Sequence, residues 1–143
     1  MSYEVYGFVE VRFYPEEGWE PLEWRTLLDL GPFFLIGDEI SERLFGLAKY
    51  PKAPGRFEKR GVPSDASASV QRWVAENDAF IAEHGEGLFG FTYALWSEIT
   101  EVDLRDVDMA GDGWQLVFNF LPTLITPCLY KPDGIRIVVA GCW

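Results

Sequence analysis

From Tyr3 to Tyr14 apolar and polar side chains alternate with the two-residue period of a strand. Tyr3, Val5, Gly7, Val9, Val11 and Phe13 fall on one face; Glu4, Glu10 and Arg12 fall on the other, beside Tyr6 and Phe8. Pro15-Glu16-Glu17-Gly18 supplies turn chemistry, and Trp19 to Trp24 is expected to return as a second strand, which Pro21 confines to a sheet edge. Gly31-Pro32 then punctuates the chain before the short apolar run Phe33 to Ile36. Asp38 reads as the N-cap of a helix running to about Lys49, with Ile40, Leu44 and Leu47 on one face, Glu39 four residues before Arg43, and Pro51 as its stop. After Gly61-Val62-Pro63 a second helix begins near Asp65 or Ser67 and runs to His84 on a stripe of Val70, Trp73, Val74, Phe80 and Ile81; Gly85 ends it.

Gly85 to Gly90 is expected to be a glycine-rich loop, and a third helix is expected within Tyr93 to Leu104, where Leu95, Ile99 and Val102 share a face. Trp114 to Leu121 is an apolar run, and Pro122 and Pro127 bracket an irregular segment. Lys131-Pro132-Asp133-Gly134 marks a turn, and Ile135 to Trp143 reads as a strand buried on both faces. No repeat or linker divides these elements. They predict one α+β domain over residues 1–143: an antiparallel or mixed sheet holding both terminal strands, covered on one face by two or three helices.

Composition supports a core that needs no staple, since 48% of the residues are hydrophobic. Six Trp, six Tyr and eleven Phe exceed what one small core usually asks for. A large aromatic core accounts for them; an aromatic-lined ligand or partner surface is the alternative. Twelve Lys and Arg against 23 Asp and Glu leave a net charge of −11. That field opposes a phosphate backbone, so direct binding of duplex nucleic acid is excluded, while solubility, a basic protein partner or imitation of nucleic acid all suit it. No segment has the length of a membrane span, and Glu4 and Glu10 interrupt any secretory-type run, so a cytoplasmic setting is expected. Cys128 and Cys142 are then reduced and expected to be buried as small hydrophobes.

Catalytic and metal chemistry find little to use. One histidine with two cysteines cannot build a Cys/His zinc site. Glu98, Glu101, Asp103, Asp106, Asp108 and Asp112 invite a calcium loop, yet a loop started at Asp106 puts Ala110 and Val117 where carboxylates are required. A solvated acidic face is the better reading. His84 stands where a helix should end and suits the helix dipole there, with no Ser or Cys near it in sequence. Gly85-Glu86-Gly87-Leu88-Phe89-Gly90 matches the dinucleotide spacing but follows a helix rather than a strand, which rejects it. No catalytic residue, metal site or cofactor is therefore assigned. The remaining chemistry is a basic island from Lys49 to Arg60 (Lys49, Lys52, Arg56, Lys59 and Arg60), either a solvated loop or an anion-binding one.

Arg60-Gly61-Val62-Pro63-Ser64-Asp65-Ala66-Ser67 resembles the R-G-(L/F)-P-D-D-x-S motif of a set of small phage and bacterial proteins. The opening Met1 to Val11 is similar to their M-S-x-D-I-x-x-(Y/F)-x-E-(V/K) strand. Leu44-Phe45-Gly46-Leu47-Ala48 is similar to their L-F-x-x-L-A, and Ile135-Arg136-Ile137-Val138-Val139 to their closing V-R-I-V-F. Leu88 to Trp96 stands in the place of their H-S-x-S-W-L-T-L segment without its histidine and first serine; Thr92 takes the place of the second serine, Tyr93 of the tryptophan and Glu98 of the acid. The resemblance implies a phage-type accessory protein and a genomic setting rather than a reaction.

Function is expected to be binding. In one reading the chain holds a small anionic, nucleotide-like ligand, such as a host-defence signal, without turning it over. Arg60 pairs with the phosphate, Gly61 permits close approach, Ser64 or Ser67 bonds it at a helix N-terminus, and Trp73 or Tyr93 stacks a base. The structural alternative for Arg60 is an ion pair with Asp65 or Glu58. In the other reading the acidic chain inhibits a host or defence protein by occupying its basic surface. A homo-oligomer is compatible with either.

Overall fold

A computed structural model describes residues 3–14, 18–47 and 53–143. Strands β1 (Glu4–Val11), β2 (Arg25–Asp29), β3 (Phe89–Leu95) and β4 (Ile135–Cys142) form one antiparallel sheet in the order β2-β1-β4-β3. The two terminal strands are central neighbours, paired from Glu4 with Cys142 to Val11 with Ile135. Gly7 allows this contact, because a Cβ there would sit 1.9 Å from the Val138 carbonyl oxygen. The domain is α+β, and both terminal strands lie in one sheet, as the alternation predicts.

Helices lie on both faces of the sheet, which corrects the expected one-sided cover. Helices α1 (Glu39–Phe45), α3 (Trp96–Ile99) and α4 (Gly113–Phe120) bury Ile40, Leu44, Phe45, Ile99, Trp114 and Val117 against Val5, Val9, Ile137 and Val139. The opposite face sets Phe8, Tyr93 and Val138 against Ala66, Val70, Trp73 and Val74, on and just before α2 (Ala68–His84). The physical reason is β4: seven successive residues, Ile135 to Gly141, are buried, and a strand apolar on both faces requires cover on both. Each fully buried aliphatic side chain there contributes about 1.5–3 kcal/mol.

Several boundaries move. The return strand is Arg25–Asp29 rather than Trp19 to Trp24, so Pro21 sits in the connection, where it removes no ladder bond. Helix α1 ends at Phe45 because Gly46 adopts the left-handed conformation (φ 64°) and returns its N–H to Glu42 O. Lys49, Lys52, Pro51 and the Pro15-Glu16-Glu17 turn lie outside the described residues. Phe89 to Leu95 is an edge strand, so only Trp96–Ile99 of the expected third helix is helical. Its alternation was masked by an irregularity between Phe89 and Thr92, where Gly90 takes φ 71°. The α2 stripe holds at Val70, Trp73 and Val74, but Phe80 and Ile81 are exposed. Both cysteines are free; Cys128 is exposed and Cys142 half-buried, against the expectation that both would be buried.

Candidate functional site

The α2 face of the sheet holds a polar cluster that the strand pattern concealed. Glu10 on β1 and Arg136 on β4 are opposite each other in the ladder and are 0% and 4% exposed. Arg136 Nε donates to Glu10 Oε1 at 2.6 Å, and its Nη1 donates to Asp65 at 2.8 Å. Glu10 Oε2 accepts the Ser67 backbone N–H at 2.6 Å. A carboxylate and a guanidinium removed from water require such complete pairing. Burial works against ionisation of Asp65, but the Arg136 hydrogen bond and charge outweigh it and hold that carboxyl below its ordinary value.

This cluster fixes the start of α2. Ser67 is the N-cap residue, but its hydroxyl bonds Thr26 Oγ1 on β2 (2.7 Å) instead of capping the helix. With Glu10 taking only the Ser67 N–H, the Ala68 and Ser69 N–H groups have no acceptor among the described residues. No acidic side chain occupies the first turn of this 17-residue helix, so the positive end of its dipole is not offset from within.

Beside that helix start lies a cleft of about 530 Å³ between β2 and α2, lined by Trp24, Arg25, Thr26, Ser67, Ala68 and Ser69 among others. Trp24 is only 6% exposed, and its indole N–H is buried with no hydrogen-bond partner. Leaving such a donor unsatisfied costs about 1–3 kcal/mol. The indole is held by cations: the Arg136 guanidinium lies over it at 4.0 Å and that of Arg12 at 5.2 Å. Around Trp24 the three arginines Arg12, Arg25 and Arg136 balance Glu10, Glu23 and Asp65, in a chain whose net charge is −11.

The residues selected from sequence divide. Ser67 lines the cleft, and Ser64 lies in the exposed turn three residues before it. Arg60 lies elsewhere: its two terminal nitrogens each bond Glu98 at 2.8 Å, and its guanidinium lies over Phe57 and Tyr93. That bidentate bond is the main reason Glu98 sits below its ordinary pKa and Arg60 above. The partner is therefore neither Asp65 nor Glu58, which bond Arg136 and the Gly55 N–H. Gly61 adopts φ 78° and donates its N–H to Phe91 O, tying this segment to the free edge of β3. Trp73 packs edge-on against Phe8 and Phe91, and Tyr93 lies under both Arg60 and Arg136. Strand pattern alone missed Trp24, Arg136 and Glu10, although an arginine inside a doubly buried strand demands a buried carboxylate and so points to Glu10.

Other candidate chemistry is spent on structure. Glu98 accepts from Arg60 and the Leu95 N–H, Asp106 from Arg43, Asp103 from Arg105, and Asp112 caps α4 through the Trp114 N–H. Among the described residues no three His, Cys, Asp or Glu side chains are placed to hold a metal ion. His84 ends α2, packs on Phe80 and lies 3.8 Å from Glu83. No described helix is long and apolar enough to cross a membrane. No protein-family model, curated protein or solved structure matches the chain.

Proposed function

We propose that this protein is a binding module for a small ligand carrying an anionic oxygen group, held in the cleft at the start of α2. The observation that carries the reading is the buried, unpartnered Trp24 indole N–H beside a helix start whose own N–H groups lack acceptors. An oxyanion such as a phosphate supplies acceptors for the helix-start N–H groups, reaches the Trp24 N–H once the buried indole shifts toward the cleft, and is favoured by the dipole against the Glu23 and Asp65 carboxylates that also line it. Arg25 and the Ser69 hydroxyl line the same cleft and extend the donor set. Trp24 serves here as an edge donor, since guanidiniums lie over its ring. Binding rather than turnover fits the side chains present, because no nucleophile is paired with a base in the cleft. Nucleotides and other phosphate esters are the class to try first.

Calorimetry with inorganic phosphate, mono- and cyclic nucleotides and simple carboxylates tests this. We expect at least one phosphate compound to bind and to quench Trp24 fluorescence. Trp24→Phe, which keeps an aromatic side chain but removes the donor with the pyrrole ring, and Ser69→Asp, which puts a carboxylate at the helix start, should each abolish binding. Ser69→Asp should leave the free protein as stable as before or slightly more so, because it complements the dipole, whereas Trp24→Phe should lose some stability, since the buried ring it shrinks outweighs the unsatisfied donor it removes. Absence of binding across the panel, or binding unchanged in both variants, would refute the proposal.

A further inference from the structure

The segment after β2 carries a second feature that the cleft does not use. Residues Gly31–Phe33 form a single 3₁₀ turn, and Phe34 ends it in the left-handed conformation (φ 52°), its N–H bonded to Gly31 O at 3.1 Å. A bulky aromatic residue is strained there, and such strain persists only where the surroundings enforce it. The ring gains no burial in return: Phe34 is 84% exposed, above every other large apolar side chain among the described residues. Ile36, two residues on, is 51% exposed and bridges to Glu4 at the start of β1. A groove of about 190 Å³ lies along this segment, lined by Glu4, Val5, Tyr6, Gly31, Phe34 and Ile36 among others.

Charge at this groove has one sign. Glu4 accepts the Tyr6 hydroxyl at 2.5 Å, and Asp29 accepts the Gly31 N–H at 2.8 Å. No lysine or arginine lines the groove. An exposed aromatic on a strained turn beside a small apolar recess and two carboxylates has the make-up of an interface anchor with a charged rim. We propose that this face docks a basic protein segment, which seats one apolar side chain in the groove against Phe34 and sets Lys or Arg against Glu4 and Asp29. Charge complementarity selects the occupant, since a chain of net charge −11 steers basic partners and repels acidic ones. This surface shares no residue with the cleft between β2 and α2, so the two proposals stand or fall separately.

The test is selection of random twelve-residue peptides from a display library on the full chain, with counter-selection on Phe34→Ser. We expect the enriched peptides to combine several Lys or Arg with a single large apolar residue. Their binding should weaken about tenfold between about 0.05 and about 0.3 M salt. Amide shifts on binding should concentrate at Tyr6, Gly31 and Leu35. Phe34→Gly keeps the left-handed turn without its strain; we expect its melting midpoint to rise by about 2–4 °C while peptide affinity falls at least about tenfold. Enrichment of neutral or acidic peptides, equal binding to Phe34→Ser, or no enrichment at all overturns the proposal.

Discussion

Asp38 and Asp112 are the N-caps of α1 and α4, and their carboxyl groups meet where those two helices start. Asp38 accepts the Ser41 N–H at 3.1 Å, Asp112 accepts the Trp114 N–H at 3.0 Å, and the Trp114 indole N–H reaches Ser41 Oγ at 3.2 Å. Burial, then the hydrogen bond to Asp112 and its charge, push Asp38 up to about 7, while the bonds from Ser41 pull the other way. Glu42 and Tyr3 face the same place, and burial followed by the charges of Glu42 and Asp38 lifts the Tyr3 phenol to about 12. A carboxyl raised on folding holds its proton more tightly in the native state, so its contribution is present below pH 3.8 and lost as the pH rises through about 7. A displacement from 3.8 to about 7 would correspond to about 4 kcal/mol at ~1.36 kcal/mol per pH unit. The site opens to water, and screening reduces this to about 1–2 kcal/mol.

Asp38→Asn isolates the effect, because asparagine caps a helix as well as aspartate does and donates to Asp112 without ionising. The variant should match the parent near pH 3.5, below the unfolded carboxyl's ordinary value, where the pair holds a proton in both states. At pH 8 it should be more stable by about 1–2 kcal/mol, or about 3–6 °C in melting midpoint. Thermal unfolding followed by circular dichroism at half-unit pH steps measures both. A difference between variant and parent that does not change between pH 3.5 and pH 8 would sink the shared-proton reasoning.

Further outcomes follow from the same structure. Glu10→Ala leaves Arg136 buried without its main partner and should cost about 3–5 kcal/mol in urea unfolding, most of it restored by pairing Glu10→Leu with Arg136→Met. Arg60→Ala removes a bidentate but partly exposed pair and should cost about 1 kcal/mol, while phosphate-ester binding at Trp24 is untouched; loss of that binding would return Arg60 to the site. Gly7→Ala places a methyl group 1.9 Å from the Val138 oxygen, so denaturant unfolding should show a loss of about 3 kcal/mol or more. A near-parental midpoint would mean that β1 and β4 are not packed as described.

How much of this was legible in the chain depended on whether local pattern and tertiary demand agreed. They agreed at β1, at Asp38 before α1 and at β4, where alternation, a capping residue and a doubly apolar run each had one reading. They disagreed at Phe89 to Leu95, where Gly90, Thr92 and a register shift break the two-residue period, so the segment read as loop and helix start instead of strand. The burial of Glu10 was not legible because sequence shows that a side chain alternates, not whether a helix will cover the alternate face. Ser67 could be placed at a helix start by its neighbours. Trp24 could not be placed at a cleft, since Pro21 demoted its segment and the guanidinium nearest its ring belongs to Arg136, far along the chain. Arg60 was conspicuous through the basic residues near it, yet its carboxylate, Glu98, lies 38 positions away.

The placement of β4 between β1 and β3 also dictates an order of assembly. β1 and β2 can meet early as neighbours in sequence, but the sheet has no centre until its last strand arrives, with Glu10 and Arg136 separated by 126 positions. Closing a loop of that length sacrifices chain entropy before any ladder bond compensates, which favours a slow, late step. Until then β1 presents an unpaired edge, and Glu10 has no guanidinium opposite it. Neither face of the sheet can therefore be buried until β4 has been made, and no single helix sets when folding begins.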